Sequence, residues 1–331
     1  MPDTVTGWLL DSDPALRWQV ERDLAHAPSD AWEASRARVA TEGFGAGLLA
    51  CQDPDGQWAG GAYFPADFDF HGPDAAEGAG QPWTATTWSL STLREWGFEA
   101  SALEGTVRKL AANSHWEYDP TLPYWGGEVD ACINAATLAN GAWLGADVTR
   151  LAQWFVDHQT AEGGWNCEWV NGSVRSSFHS TINALRGILS YEKAADRPEG
   201  PEEPGDQLRT ARKAGEEYLL DRRLMHRRTT GEFVPQGATV FAYPFRWQHT
   251  VLRAVDYFRE ASIHDGASPD PRLGEAIEVI RSKRRDDGTW LQEHRYPGRV
   301  WFDVDVLPGE PSKWLTFYAT RALSWWDEAR T

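Results

Sequence analysis

The feature that most narrows the fold is a short turn that recurs along the chain. "CQDPDGQW" carries Gln52, Gly56 and Trp58, and "HQTAEGGW" carries Gln159, Gly163 and Trp165, so both read Gln-x-x-x-Gly-x-Trp. "RRDDGTW" keeps Gly288 and Trp290 but puts Arg284 in the Gln position; "RRTTGEF" keeps Gly231, with Arg227 and Phe233 at its flanks. The gap between Gly56 and Gly163 is about twice the later ones, and "ANSHWEY" near its middle reads as a degenerate copy. Units of such a period cannot bury an apolar face alone and stack on their neighbours.

The segments around the turns read as helices. Ahead of Gly163, "TRLAQWFVDHQ" with the preceding Val148 puts Val148, Leu151, Trp154 and Phe155 on one stripe at helical spacing. After each turn come a loop and a less charged segment: "WTATTWSLSTLREW", "VDACINAATLANGAWL", "FHSTINALRGILSY", "WQHTVLRAVDYF" and "KWLTFYATRALSWW". A helix apolar nearly all round is buried on both sides. A charged helix followed by a buried one, every ~50–60 residues, predicts an all-α fold built as a double ring of helix pairs, about five or six of them. One domain over residues 1–331 is expected. Irregular stretches at 64–82, 193–207 and 296–312 interrupt it. The first is too long for a passive connection. The second is acidic and Pro-rich, and the third leads into the last inner helix.

Composition removes several function classes. A formal net charge of -17 excludes a nucleic-acid binder, which needs clustered Lys and Arg. No run of apolar residues is long enough for a transmembrane segment, and the acidic N-terminal stretch is unlike a secretory signal. Cys51, Cys132 and Cys167 do not form a disulfide framework, which points to a reducing, cytoplasmic setting. The 19 tryptophans against 2 methionines call for either a repeated structural motif or an aromatic cavity.

The repeated turn resembles the signature of squalene-cyclase-type terpenoid cyclases, whose α/α toroid architecture is shared by protein prenyltransferase β subunits. The resemblance spans Cys51 to Trp326. It implies inner and outer rings of helices around a cavity, with the tryptophans bracing turns and not reacting. "EVDACI" is similar to the Asp-x-Cys element of the prenyltransferases, and "RSSFHSTINALRGI" to their His element. The resemblance implies that Asp130, Cys132 and His179 are Zn2+ ligands. The Asp-x-Asp-Asp acid of the class II cyclases has its nearest counterpart in "FDVDVLP", where Val306 follows Asp303 and Asp305. Both aspartates are expected to be solvated loop acids.

Matching "VDACINAATL" with "FHSTINALRG" through their shared Ile-Asn puts Asp130 opposite His179 and Cys132 opposite Thr181. Neighbouring helix axes lie ~8–10 Å apart, so side chains from both can meet at one ion. Residues two apart diverge on a helix, so Asp130 must sit at or before the N-cap to act beside Cys132. The glycines of "YWGGE" are consistent with a helix start there. Cys167 in "GGWNCEW" is a candidate fourth ligand. Four protein ligands would make a structural site, and three an open, catalytic one. A helix cap, a small buried thiol and a core histidine are the bland alternative for the same three residues.

The chain departs from the prenyltransferase pattern upstream of Asp130, where Glu128 stands in place of basic residues, and at Ile133, where the family has Tyr. Charge for a diphosphate would have to come from Arg175, Arg246 or Arg253. Starts of inner helices offer lining residues: Trp83, Tyr124, Trp125, Tyr243, Phe245, Trp247 and Trp314 for an apolar substrate, Arg246 as an anion clamp and His249 as an acid or base. The expected function is a zinc-dependent enzyme acting on a small, largely apolar molecule by transfer, cyclisation or hydrolysis. Competing expectations are a metal-free terpenoid cyclase using Asp303 or Asp305, a non-catalytic toroid that binds a peptide or protein, and a glycosidase using Glu128 and Asp130.

Overall fold

The computed structural model describes residues 4–196, 205–233 and 237–329. Its helices are α1 (Thr4–Leu10), α2 (Pro14–Asp23), α3 (Ser29–Ala37), α4 (Gly43–Leu49), α5 (Thr86–Glu95), α6 (Thr106–Asn113), α7 (Ala131–Leu144), α8 (Thr149–Asp157), α9 (Phe178–Ala195), α10 (Asp206–Leu220), α11 (Val251–Asp265), α12 (Gly274–Ser282) and α13 (Lys313–Glu328). Among the described residues the only strands are β1 (Trp290–Leu291) and β2 (Pro311–Ser312), a short antiparallel pair. The all-α expectation therefore holds. Among the described residues no helix is long and apolar enough to cross a membrane.

The Gly-x-Trp turns at Gly56, Gly163 and Gly288 close in the same way. Trp58, Trp165 and Trp290 are buried, and each indole N–H donates over 2.8 Å to a carbonyl ten residues earlier: Leu48, Phe155 and Ile280. Each of these carbonyls lies at or near the C-terminal end of the preceding helix, and the indole adds a donor there; those of Leu48 and Ile280 also accept the N–H of Cys51 and Lys283. The tryptophan backbone N–H in turn donates to a threonine hydroxyl from the helix that follows: Thr86 at 3.0 Å, Thr181 at 3.1 Å and Thr316 at 3.0 Å. One residue thus satisfies the end of one helix and joins it to the start of the next. Where Gln is present, its amide closes the turn, Gln52 onto the Gly56 carbonyl and Gln159 onto that of Gly163. Glycine is required because φ lies near +90° at all three positions, and at Gly163 a Cβ would stand 2.7 Å from the Ala214 carbonyl oxygen.

The two weaker copies differ. Gly231 bonds back to the Arg227 carbonyl, and Phe233 after it is largely exposed, so no aromatic anchor is buried there. In "ANSHWEY", Trp116 is buried and stacks on Tyr124, but its indole N–H finds no partner among the described residues. Without a glycine the chain does not make the left-handed turn that aims the indole at a helix end.

The chain divides into two compact units. One comprises Ala37–Gly215 and Tyr296–Asp303. Within it α7 packs against both α5 and α9. Arg94 of α5 donates to Asn140 of α7 at 3.1 Å and to Ser190 of α9 at 3.3 Å, a polar brace among the three helices. The other unit comprises Met1–Arg36, Glu216–Arg295 and Val304–Thr331, and α10 runs from the first into the second. Here Arg321 of α13 joins Asp256 of α11 at 2.7 Å and Asp23 of α2 at 2.8 Å, all three largely buried. Burial pushes the Asp23 carboxyl up, but Arg22 and Arg321 outweigh it and hold it at about 2.

Of the loop expected at 193–207, residues 197–204 lie outside the described residues; α9 covers its start and α10 its end. Residues 64–82 are irregular as expected apart from a single 3-10 turn at Pro73–Ala75.

Replacing Thr181 by Val is expected to leave the buried Trp165 N–H unsatisfied and to destabilise the protein by about 1–3 kcal/mol. Gly163→Ala adds backbone strain to a clash with the Ala214 carbonyl and is expected to cost at least about 1 kcal/mol. Chemical denaturation of the two variants checks both, and an unchanged midpoint in either would refute the role given to the turn.

Candidate metal centre

The site is built where α7 begins. Gly127 adopts φ +79, and a Cβ there would lie 2.5 Å from Asn134 Oδ1. That close approach lets Asn134, one turn into α7, bracket Glu128: its Oδ1 accepts the Glu128 N–H at 2.7 Å and its Nδ2 donates to the Glu128 carbonyl at 2.6 Å. Glu128 Oε2 accepts the Asp130 N–H at 2.8 Å. Asp130 is then the N-cap, with extended backbone at φ −80 and ψ 125, as a shared site with Cys132 demands. Its side chain makes no capping bond, and no donor reaches its carboxylate among the described residues. Burial, then the neighbouring Glu128 and Glu168, push that carboxyl up to about 6.

Counted from the caps, the helix register differs from the Ile-Asn alignment. Asp130 caps α7 and Ser177 caps α9, so Asp130 corresponds to Ser177 and Cys132 to His179, a shift of two residues. Cys132 and His179 both fall in the first turns of their helices, which pack together.

Cys167 opens the 3-10 turn Cys167–Asn171, and its Sγ lies 3.4 Å from that of Cys132. Neither sulfur is in a disulfide, and both residues are half-buried. Ser180 on α9 ties the pair together: its Oγ accepts the Cys167 N–H at 3.1 Å and lies 3.3 Å from Cys167 Sγ and 3.9 Å from Cys132 Sγ. Asn183 Nδ2 reaches Cys132 Sγ at 3.6 Å and also donates to the His179 carbonyl at 2.7 Å. The thiol contact and burial push the Cys132 thiol up, and the contact with Cys132 brings Cys167 down. The two thiols and Asp130 form the nucleus of a site. Among the described residues, however, no three of the ligand atoms of Asp130, Cys132, Cys167 and His179 lie within 4.8 Å of one another.

Tyr63 carries no signal in the sequence that marks it for this site. Its ring is buried, and burial raises its pKa well above the usual range, with the two thiols and Asp130 close enough to add to the shift. Glu117 positions it. One carboxylate oxygen accepts the backbone N–H groups of Ala62, Tyr63 and Phe64 at 2.7, 2.9 and 3.2 Å. From Tyr63 an aromatic cluster continues through Phe64, Phe68, Phe70 and Tyr118, with ring centroids 4.7–5.9 Å apart.

The expected lining residues fall in different settings. Tyr124 has no exposed surface; it is stacked on Trp116 and shares its hydroxyl with Thr87 at 3.0 Å. Trp125 spends its indole N–H on the Val107 carbonyl, and Trp83 on that of Pro297. In the other unit Tyr243 and Trp314 stack at 4.5 Å and are nearly fully buried, with Phe245 at their edge, while Trp247 is half-buried. Arg246 and His249 are buried in that same unit. His249 Nε2 donates to the Leu224 carbonyl at 2.7 Å, which fixes the proton on that nitrogen. Asp303 is exposed as expected, but Asp305 is not a solvated acid. Its oxygens accept from the Val306 N–H at 2.9 Å and the Ser312 hydroxyl at 2.5 Å, and Ser312 caps α13.

No family model, curated protein or solved structure matches this chain.

Burial raises the Asp305 carboxyl to about 6. A folded-state value above the unfolded one stabilises the fold below the unfolded value, and that contribution is lost as pH rises through about 6. Asp305→Asn is therefore expected to gain stability relative to the parent as pH rises from 4 to 7, by up to ~3 kcal/mol. Melting temperatures across that range test it; a pH-independent difference would contradict the assignment.

Proposed function

We propose that Asp130, Cys132 and Cys167 hold a zinc ion with its fourth position open, and that the chain is a zinc-dependent enzyme acting on a small, largely apolar substrate. One observation carries the reading: two free thiols from separate elements stand 3.4 Å apart beside a half-buried carboxylate that no donor satisfies. An aspartate at a helix N-cap ordinarily spends an oxygen on the cap, and packing alone gives no reason to withhold it. Thiolate, carboxylate and imidazole are the usual zinc donors, and two thiolates on a tetrahedral ion at ~2.3 Å stand ~3.8 Å apart, a few tenths of an ångström from the separation here. Zinc bound there would supply a Lewis acid able to activate a water or a thiol.

The surrounding residues favour some substrates over others. Tyr63 and the rings of Phe64, Phe68, Phe70 and Tyr118 offer an apolar surface next to the thiols. Glu128 and Glu168 put negative charge beside Asp130 and disfavour a diphosphate. Ser180 and Asn183 hold the sulfurs, and Glu117 fixes the turn that carries Tyr63. In this reading α5, α7, α9, α11 and α13 are the inner helices of an α/α toroid, the architecture to which the Gly-x-Trp turns are suited.

Protein purified without added metal is expected to contain close to one zinc per chain, and Cys132→Ser and Cys167→Ser to fall below ~0.2 each. Zinc-free parent protein with intact helical content, or a Cys132→Ser/Cys167→Ser double variant that keeps its zinc, would rule the centre out.

A further inference from the structure

The same two sulfurs have a second chemistry open to them, and it does not depend on a metal. We propose that Cys132 and Cys167 are a redox-modification site: a dithiol that hydrogen peroxide converts to an intramolecular disulfide and that a reducing thiol restores.

The geometry supports this directly. The sulfurs are 3.4 Å apart, against ~2.05 Å in a disulfide, so about 1.4 Å must close. Cys132 lies in the first turn of α7 and Cys167 opens a 3-10 turn, so side-chain rotations at two element ends can share the movement. Both residues are half-buried. Ser180 keeps the sulfurs facing each other through its contacts with both. Cys51 is the internal control. It is equally half-buried, but its Sγ donates to the Gly47 carbonyl in its own segment and meets no second sulfur.

The reaction balances without another reagent. One sulfur, as thiolate, attacks a peroxide oxygen; the O–O bond breaks, a sulfenic acid forms, and the departing hydroxide takes up a proton to leave as water. The second thiol then attacks the sulfenic sulfur. The S–S bond forms, the S–O bond breaks, and a second water leaves with that thiol's proton. Two electrons pass from the sulfur pair to the peroxide. If zinc is bound as proposed, the disulfide withdraws both sulfur ligands and the ion is released.

The full chain is to be treated with hydrogen peroxide, both as purified and after chelator treatment, then alkylated, digested without reductant and analysed by mass spectrometry. The expected product is a Cys132–Cys167 cross-linked peptide lighter by two hydrogen atoms, lost on adding dithiothreitol and unaffected by Cys51→Ser. In Cys132→Ser the cross-link is expected to vanish and Cys167 to be trapped by dimedone as a sulfenic acid. Full alkylation of both thiols after peroxide, conversion only to sulfinic or sulfonic acid, or a disulfide only between chains would overturn the proposal. Zinc measured in the same samples separates the two readings. A cross-link in protein that never held zinc retains the redox site and removes the metal; zinc without any cross-link after chelation does the reverse.

Discussion

The bond from a buried indole N–H to the end of the preceding helix is what the rest of the architecture depends on. A helix end leaves carbonyls without intrahelical donors, and burying such an end is costly unless a donor arrives. Trp58, Trp165 and Trp290 each bring a donor there while taking a hydroxyl of the next helix on their own N–H. Each tryptophan thereby joins two helices and contributes a large apolar ring to the core. This dual use accounts for part of the tryptophan content, and for the glycine two residues before each one.

The candidate centre follows from a related device at the start of α7. Asn134, and not Asp130, satisfies the backbone at the helix entry, through its two bonds to Glu128. That leaves the Asp130 carboxylate half-buried among like charges, with the thiols of Cys132 and Cys167 nearby. Such an arrangement is unfavourable when no cation is present, because burial and the neighbouring carboxylates both resist ionisation. A bound cation would offset both, which is why the cluster is compatible with the zinc proposal.

Some of this was legible in the residues and some was not. Gln52, Gly56, Trp58 and their counterparts announced the turn because left-handed backbone and a buried indole restrict residue choice. The weaker copies at Gly231 and Trp116 looked alike in sequence, yet one lacks a buried aromatic and the other lacks the glycine. Asp130 as a helix start was readable from the glycines before it. Tyr124 illustrates a further limit: only the packing reveals that Trp116 stacks on it.

By itself, the sequence determined the helical class, the turns that link the helices, and a short list of chemically capable residues. These are local matters: apolar periodicity, backbone angles that only glycine tolerates, and side-chain chemistry. The tertiary structure alone decided that Cys167 meets Cys132, that Glu117 holds Tyr63 beside them, and that Asp305 serves a helix cap. Each of those is a contact between residues well apart in the chain or a matter of burial, and neither leaves a period or a spacing for the sequence to show.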